Sequence, residues 1–246
     1  MKILLTNDDG IEAPGIQSLH DALRHALDNP EIIVVAPDRG RSECGHSVTT
    51  GRSLIVNRIA ENWFSVDGTP VDCVRAALTK LAPNVDFVMS GVNAGANLGV
   101  DLLVSGTFAA AREASIEGIP AMAVSHYRRP DVPVTWKHVP GWTCELIQEF
   151  AAVAIRSNTN QSNPPGLLWN VNLPAIDPAL PPPEIQRCDV DQCPYKRSAK
   201  VVTANSNESE LTFGLDFHGR PRNPDRDVYH CFGGRTTLSE LGPYVA

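Results

Sequence analysis

The 246-residue sequence lacks both a long hydrophobic run and an excess of basic residues. No window approaches the roughly 18 uninterrupted apolar residues that indicate a membrane-spanning helix. The apolar run at residues 3–5 is too short for the core of a signal peptide. Lys and Arg number 21 against 28 Asp and Glu, whereas a dedicated nucleic-acid binder normally carries a basic excess. We therefore expect neither a membrane protein nor a partner of polymeric nucleic acid.

Familiar cysteine and histidine motifs are also missing. The six cysteines form no CxxC, and the seven histidines include no HExxH. An even number of cysteines suggests disulfide bonds only in a secreted chain, and the N-terminus gives no sign of secretion. We therefore expect a reduced, cytoplasmic protein. Its composition, 42% apolar and 20% charged, is that of a folded globular chain and not of a disordered one.

The first half of the chain alternates strand-like and helix-like stretches. Apolar strands are predicted at residues 3–5, 32–36, 85–89 and 121–125. Helices are predicted to begin at Pro14, at the capping residue Thr69 and near Thr107. β-rich pieces between Ser47 and Asp67 indicate an antiparallel excursion. This alternation predicts a mostly parallel sheet with helices on both faces, a Rossmann-like three-layer αβα fold.

The second half is less regular. We predict a helix and three strands there, over residues 141–156, 167–173, 209–217 and 227–232. Four prolines within residues 178–183 indicate a linker or an extended arm. We therefore expect a Rossmann-like catalytic core over residues 1–125. Residues 126–246 would supply the remainder of the fold and a β-rich C-terminal arm for oligomerisation, the whole forming one structural domain.

Polar residues follow three of the predicted parallel strands. Asp8 and Asp9 come after the first strand, Ser42 follows the second and Asn93 follows a third. Ligands of open α/β sheets bind beyond the carboxyl ends of the strands. Adjacent carboxylates with little positive charge nearby are costly unless a divalent cation neutralises them. This all-oxygen set of donors predicts one hard divalent cation, Mg²⁺ or Mn²⁺, and not Zn²⁺.

A phosphate site is predicted beside this cation. Ser105, Gly106 and Thr107 stand at the start of a predicted helix, whose free backbone N–H groups and positive end favour an anion. Each feature alone has an ordinary explanation, because Asp-Gly is a common turn and Thr107 could simply cap its helix. The convergence of these loops on one sheet edge favours phosphoryl chemistry.

The motifs that carry these residues occur in a fixed order. They are Asn7-Asp8-Asp9-Gly10-Ile11-x-Ala13-Pro14-Gly15, Ala36-Pro37-Asp38-Arg39-x-Arg41-Ser42, Gly68-Thr69-Pro70, Ser90-Gly91-Val92-Asn93-x-Gly95-Ala96-Asn97-Leu98-Gly99 and Ser105-Gly106-Thr107. Together they make the chain resemble the SurE (survival protein E) family of metal-dependent 5′/3′-nucleotidases. The resemblance is dense over residues 1–125 and beyond them is carried mainly by Trp169-Asn170-Val171-Asn172-Leu173-Pro174.

The resemblance implies a function and a set of site residues. The expected reaction is the hydrolysis of nucleoside 5′-monophosphates, and also of 3′-monophosphates or short polyphosphate, with one divalent metal cation. The implied metal ligands are Asp8, Asp9, Ser42 and Asn93, the phosphate-binding residues are Asn93, Ser105, Gly106 and Thr107, and the catalytic residues are Asp8, Asp9, Asn93 and Ser105. Family members form dimers or tetramers through an exchanged C-terminal arm, so a homodimer or tetramer is expected.

Two segments depart from the family pattern. Glu43 and Cys44 follow Ser42, where family members have small residues, and Arg226-Asp227 replaces a Thr-Asp pair. Neither departure removes an implied metal ligand. His46, close to the site, could act as a general acid, although a solvated or capping role is commoner for a loop histidine. Cys44 has no partner base that would make it a nucleophile.

Three other functions use similar residues. A phosphorylation-receiver module needs an acceptor aspartate where this chain has Ser90-Gly91-Val92-Asn93. An aspartyl-phosphate phosphatase needs Asp-x-Asp, whereas Asp8 and Asp9 are contiguous. A non-catalytic nucleotide or sugar-phosphate binding protein remains the alternative, and the release of phosphate from a nucleotide would exclude it.

Overall fold

A computed structural model describes residues 1–42, 44–158, 166–194, 197–204 and 208–244. Its strands are β1 (Lys2–Thr6), β2 (Glu31–Pro37), β3 (Val56–Ala60), β4 (Trp63–Val66), β5 (Phe87–Asn93), β6 (Ala121–His126), β7 (Leu168–Leu173), β8 (Ile185–Arg187), β9 (Ser198–Ala204), β10 (Ser209–Gly214) and β11 (Thr236–Leu241). Its α-helices are α1 (Pro14–Ala26), α2 (Pro70–Ala76), α3 (Gly106–Ile116), α4 (Val139–Asn158) and α5 (Asp227–Phe232). A π-helical turn (Ala77–Leu81) continues α2, and a 3₁₀ helix (Gly99–Leu103) precedes α3.

Nine of these strands form one twisted sheet in the order β3-β4-β2-β1-β5-β6-β7-β11-β8. The six strands from β4 to β7 run parallel, while β3 and β11 are antiparallel to their neighbours β4 and β7. β9 and β10 form a separate antiparallel pair. The carboxyl ends of β1, β2 and β5 therefore lie side by side at one edge of the sheet.

Helices cover both faces of the sheet because its central strands are apolar on both sides. On one face, α1 and α4 bury the side chains of Leu19, Leu23 and Phe150. On the other face, α2 and α3 bury Val74 and Ala110 among others. The predicted three-layer α/β arrangement is confirmed. No helix within the described residues is both long and apolar enough to cross a membrane.

A close contact fixes α1 against the sheet. Pro14 occupies the first turn of α1, and a Cβ atom at Gly15 would lie 2.0 Å from the carbonyl oxygen of Val92 in β5. Only glycine permits this approach. The Ala-Pro-Gly part of the first motif thus sets how the helix after the acidic loop packs beside β5.

The second half of the chain extends the same sheet. β7 pairs with β6, and β11 joins β7 to β8, so residues beyond 126 complete the sheet that β1 begins. The predicted helix over residues 141–156 is confirmed as α4. The strand predicted at residues 227–232 is wrong, because this segment forms α5. The antiparallel excursion between Ser47 and Asp67 is observed as the β3–β4 pair.

Candidate active site

The acidic loop after β1 is shaped by a buried asparagine. The Asn7 side-chain amide donates to the Gly10 carbonyl (2.8 Å), and the Gly10 N–H donates to the Asn7 side-chain oxygen (3.2 Å). Gly10 adopts a φ of 103°, which L-residues with a side chain rarely adopt. This closed turn presents Asp8 and Asp9 at the carboxyl edge of the sheet.

Asp8 is a buried carboxylate with a neutral hydrogen-bond donor. Its side chain is 4% exposed, and its Oδ1 accepts a hydrogen bond from the Thr107 hydroxyl. Burial raises the pKa of Asp8 to about 6; the hydrogen bond from Thr107 opposes this rise and the charge of Asp9 adds to it. Without a cation, therefore, the ionised form of Asp8 is less favourable in the folded chain than that of an exposed aspartate.

Asp9 links the acidic loop to the loop after β5. Its Oδ2 accepts a hydrogen bond from the backbone N–H of Ala94 (3.0 Å), the residue that follows Asn93. Partial burial raises the pKa of Asp9 as well. The Asn93 side-chain amide donates to the Gly95 carbonyl (2.9 Å), which leaves its amide oxygen as a potential ligand. The structure thus brings Asp9 and Asn93 together.

The loop after β2 is tied to the acidic loop through its backbone. The Arg41 N–H donates to the Asp8 carbonyl (2.7 Å), and the exposed Ser42 follows in the next turn. The half-buried thiol of Cys44 lies beside Gly106, where a Cβ atom would be 3.2 Å from the sulfur. Burial, and then the charge of Asp8, raise the pKa of this thiol. Glu43 lies outside the described residues.

The N-terminus of α3 packs directly on Asp8. Ser105 caps the helix, and its Oγ accepts the backbone N–H of Phe108 (3.0 Å). A Cβ atom at Gly106 would lie 2.8 Å from the Cβ of Asp8, so glycine is required there. The helix end at Ser105, Gly106 and Thr107 therefore lies against the acidic loop. The backbone N–H of Thr107 also faces the Asp8 carboxylate, so an anion bound to the N–H groups of this end would sit next to the carboxylates.

These residues fit a hard cation. No ion pair with Lys, Arg or His joins Asp8 or Asp9 within the described part of the chain, although the two carboxylates are adjacent. The described part of the chain contains no group of three or more His, Cys, Asp or Glu side chains that could hold a metal ion. A cation here would thus depend on two carboxylates with amide and hydroxyl oxygens, the donor chemistry of Mg²⁺ or Mn²⁺.

A buried amide cluster that sequence reasoning left without a role holds the loop after β5. Asn97 donates through its backbone N–H to the Asn172 side-chain oxygen (2.8 Å) and through its side-chain amide to the Ser125 hydroxyl (2.7 Å). The side-chain amides of Asn170 and Asn172 both donate to the Asn97 carbonyl (3.0 Å each). The Trp-Asn-Val-Asn motif of β7 therefore anchors the loop that carries Asn93.

Residues near the C-terminus clamp the far end of this loop. The buried Asp227 carboxylate accepts backbone N–H groups from Gly99 (2.8 Å), Asp191 (2.8 Å) and Val228 (2.7 Å). The buried guanidinium of Arg220 donates to the Leu98 carbonyl (2.9 Å) and pairs with an aspartate of the 3₁₀ helix. Sequence reasoning gave neither residue this role. The signal was an acid at the start of a short segment, because a carboxylate is favoured in the first turn of a helix.

The predicted site residues therefore fall into three groups. Asp8, Asp9 and Asn93 meet at the sheet edge, and Ser105, Gly106 and Thr107 meet Asp8 at the start of α3. Ser42 lies in a loop bonded to the acidic loop, with an exposed side chain. His46 does not offer a ring nitrogen to this site, because both ring nitrogens contact α3.

Comparisons with known proteins identify the family of this chain. The model of the family described as "Survival protein SurE" matches residues 3–199. A protein of Nostoc sp. is 38% identical over 241 residues, 98% of this chain and 99% of that protein. The 5′-nucleotidase SurE of Pelobacter propionicus is 40% identical over 229 residues, 89% of this chain and 88% of that protein.

A solved structure shows the same fold. The crystal structure of the SurE protein from Aquifex aeolicus superposes with a TM-score of 0.80 at 26% sequence identity, covering 100% of this chain and 95% of that one. The family model spans most of the chain, and the acidic loop, the loop after β5 and the start of α3 all lie within it. This chain belongs to the SurE family.

Proposed function

We propose that this chain is a 5′-nucleotidase that hydrolyses nucleoside monophosphates to nucleoside and phosphate with the help of one divalent cation. Membership in the SurE family and relatives named 5′-nucleotidase support the activity. One structural observation carries the proposal most directly. Two adjacent carboxylates, one of them buried, lie without a cationic partner in the described residues against the N-terminus of a helix.

The oxygens of Asp8, Asp9, Ser42 and Asn93 would hold the cation, either Mg²⁺ or Mn²⁺. A cation bound there supplies Lewis-acid polarisation of the phosphoryl group and lowers the pKa of a bound water. Asp8 or Asp9 would orient the attacking water or accept its proton. Thr107 fixes the Asp8 carboxylate for this task through its hydroxyl.

The start of α3 would bind the phosphoryl group. The Ser105 oxygen already accepts the Phe108 N–H, so its hydroxyl hydrogen is free to donate to a phosphate oxygen. Asn93 and the backbone N–H groups of Gly106 and Thr107 would complete the set of donors. Fixed donors of this kind stabilise charge on the equatorial oxygens, the main contribution of protein to phosphoryl transfer. We infer direct attack by water, without a covalent enzyme intermediate.

A phosphate-release screen tests the proposal. The substrates are nucleoside 5′-monophosphates, 3′-monophosphates, sugar phosphates and short polyphosphate, each with Mg²⁺, Mn²⁺ or EDTA. We expect release from 5′-monophosphates with either metal and none in EDTA. Release from 3′-monophosphates or polyphosphate would widen the substrate class. The absence of release from every nucleotide with every metal would contradict the proposal and leave a non-catalytic binding protein, which no observation favours now.

The β-rich C-terminal arm is proposed to build a homodimer or tetramer, beside a catalytic core of residues 1–125. The β9–β10 pair lies outside the main sheet and exposes large apolar side chains, with Val201 61% and Phe213 69% exposed. Such an unprotected pair of strands favours association with another chain. Light scattering at micromolar concentration should show a dimer or tetramer; a stable monomer would contradict this.

The six cysteines are all free, which supports a reducing, cytoplasmic location.

A further inference from the structure

The segment that follows the Ser42 loop is anchored along α2 and α3. The Gly45 N–H donates to the Val104 carbonyl just before α3 (3.0 Å). The Thr69 hydroxyl, which also caps α2, donates to the Ser47 carbonyl (2.8 Å). Thr49 donates to the Asp72 carboxylate through its backbone N–H (3.0 Å) and its hydroxyl (2.6 Å). These bonds hold both ends of the segment formed by residues 44–49, called the anchored segment below.

His46 is held at the middle of the anchored segment by two consecutive residues of α3. The Arg112 Nε donates to His46 Nδ1 (3.0 Å), which must therefore be the unprotonated ring nitrogen. His46 Nε2 then carries the hydrogen and donates to a Glu113 oxygen (2.7 Å). One donor and one acceptor fix a single neutral tautomer and a single ring orientation. Both nitrogens are occupied, so His46 is not placed as a general acid.

Glu113 in turn is fixed from α2. Its side chain is 5% exposed, and its second oxygen accepts the Arg75 Nε (2.5 Å). Burial raises the pKa of Glu113, but the hydrogen bonds from His46 and Arg75 outweigh it, so the pKa falls below its usual range. The carboxylate is therefore a charged acceptor whose bond to His46 is charge-assisted and strong. The anchored segment is thus fastened to both helices of this face.

The anchored segment joins this cluster to the proposed cation site. Gly106, at the first turn of α3, packs against both Asp8 and the Cys44 sulfur. Seven residues later on the same helix, about 10 Å along its axis, Glu113 holds His46. Ser42 lies two residues before the anchored segment and is exposed, so the segment is the nearest fixed part of the chain on its C-terminal side.

We propose that His46 is a positioning residue: by joining Arg112 and Glu113 it fixes the anchored segment along α3 and so places Ser42 and Cys44 at the acidic pair. The effect on metal affinity rests on the proposed function, whereas the effect on the segment does not. Residues that orient metal ligands from outside typically change metal affinity by about 10–100-fold when they are replaced.

The test compares His46→Ala with two other variants. His46→Gln keeps one donor and one acceptor, and His20→Ala removes a histidine from α1, away from the segment. Hydrogen–deuterium exchange of residues 44–49 is measured in EDTA, and Mn²⁺ binding is measured by electron paramagnetic resonance of the free ion. We expect His46→Ala to speed exchange of the segment at least about 10-fold and to weaken Mn²⁺ binding about 10-fold. His46→Gln should keep both the exchange rate and the Mn²⁺ affinity near the wild-type values, and His20→Ala should change neither quantity.

A thermodynamic cycle adds a second readout. Because His46 acts through Glu113, the double variant His46→Ala/Glu113→Gln should weaken Mn²⁺ binding hardly more than His46→Ala alone. Saturating Mn²⁺ should return kcat of His46→Ala to near the wild-type value. Exchange within about twofold of wild type in His46→Ala would overturn the proposal. A third outcome separates the two proposals. If His46→Ala exchanges faster but the wild-type protein binds no Mn²⁺, His46 does fix the anchored segment, and the proposed function is contradicted instead.

Discussion

Replacing Asp8 with asparagine should stabilise the metal-free protein at neutral pH. An unfolded aspartate ionises near a pKa of 3.8, whereas burial raises the pKa of folded Asp8 to about 6. Between these values the folded chain keeps a proton that the unfolded chain releases, so stability falls as the pH rises through this window. A difference of about two units corresponds to about 3 kcal/mol, a cost fully present above about pH 6.

Asparagine removes this charge and keeps the local geometry. Its side-chain oxygen can still accept the Thr107 hydroxyl, and its size matches the space beside Gly106. Urea unfolding in EDTA, followed by circular dichroism, measures the effect. The free energies of unfolding of Asp8→Asn and wild type should differ little near pH 4. Near pH 7 the free energy of unfolding of the variant should be higher by up to about 3 kcal/mol. Asp21→Asn, at an exposed carboxylate on α1, serves as the control.

Bound metal should make wild type more stable than Asp8→Asn. Saturating Mn²⁺ should stabilise wild type, by about 2.7 kcal/mol at a concentration of one hundred times Kd, and should stabilise Asp8→Asn much less. The reasoning is refuted if Asp8→Asn is no more stable than wild type at neutral pH in EDTA. In that case the buried charge would carry no cost, and the argument that the carboxylate pair needs a cation would lose its basis.

Three further substitutions test the contacts around the site, and a fourth serves as a control. Gly106→Ala should reduce phosphate release at least about 10-fold with unchanged circular dichroism, because the new Cβ would lie 2.8 Å from the Asp8 Cβ; unchanged release would contradict the proposed contact. Ser105→Ala should lower kcat by about 10²–10³-fold and, since Ser105 also caps α3, lower the free energy of unfolding by about 1 kcal/mol. Asp227→Ala should lower the free energy of unfolding by at least about 2 kcal/mol in urea, because three backbone N–H groups lose their acceptor. Asp189→Ala, which breaks an exposed ion pair, should cost less than about 1 kcal/mol.

The residues at the sheet edge were predictable because their place follows from local rules. Asp8 lies two residues after the buried strand β1 and Asn93 ends the buried strand β5, so the direction of those parallel strands alone puts both residues at one edge. Thr107 lies at the start of the helix that follows β5. In a parallel sheet such a helix begins near the carboxyl ends of the strands, so the alternation of strands and helices predicts its position. The hydrogen bond from Thr107 to Asp8 was not predictable, because it joins residues 99 positions apart.

The supporting contacts needed the strand order. Asn172 reaches Asn97 only because β7 lies beside β6, which lies beside β5, and no spacing in the sequence gives that order. The error at α5 has a local cause. A six-residue segment is too short to show a helical period, and its aromatic and β-branched residues favoured a strand. The acid Asp227 at its start was the better guide.

The central claim is that the acidic pair makes the site hydrolytic by holding a divalent cation, and one measurement tests it most directly. Phosphate release from a nucleoside 5′-monophosphate is followed for wild type and Asp9→Asn, each in Mn²⁺ and in EDTA. We predict release by wild type in Mn²⁺, none in EDTA, and at least about a 10²-fold loss in Asp9→Asn while its circular dichroism is unchanged. Equal rates in Mn²⁺ and EDTA, or wild-type activity in Asp9→Asn, would contradict the claim.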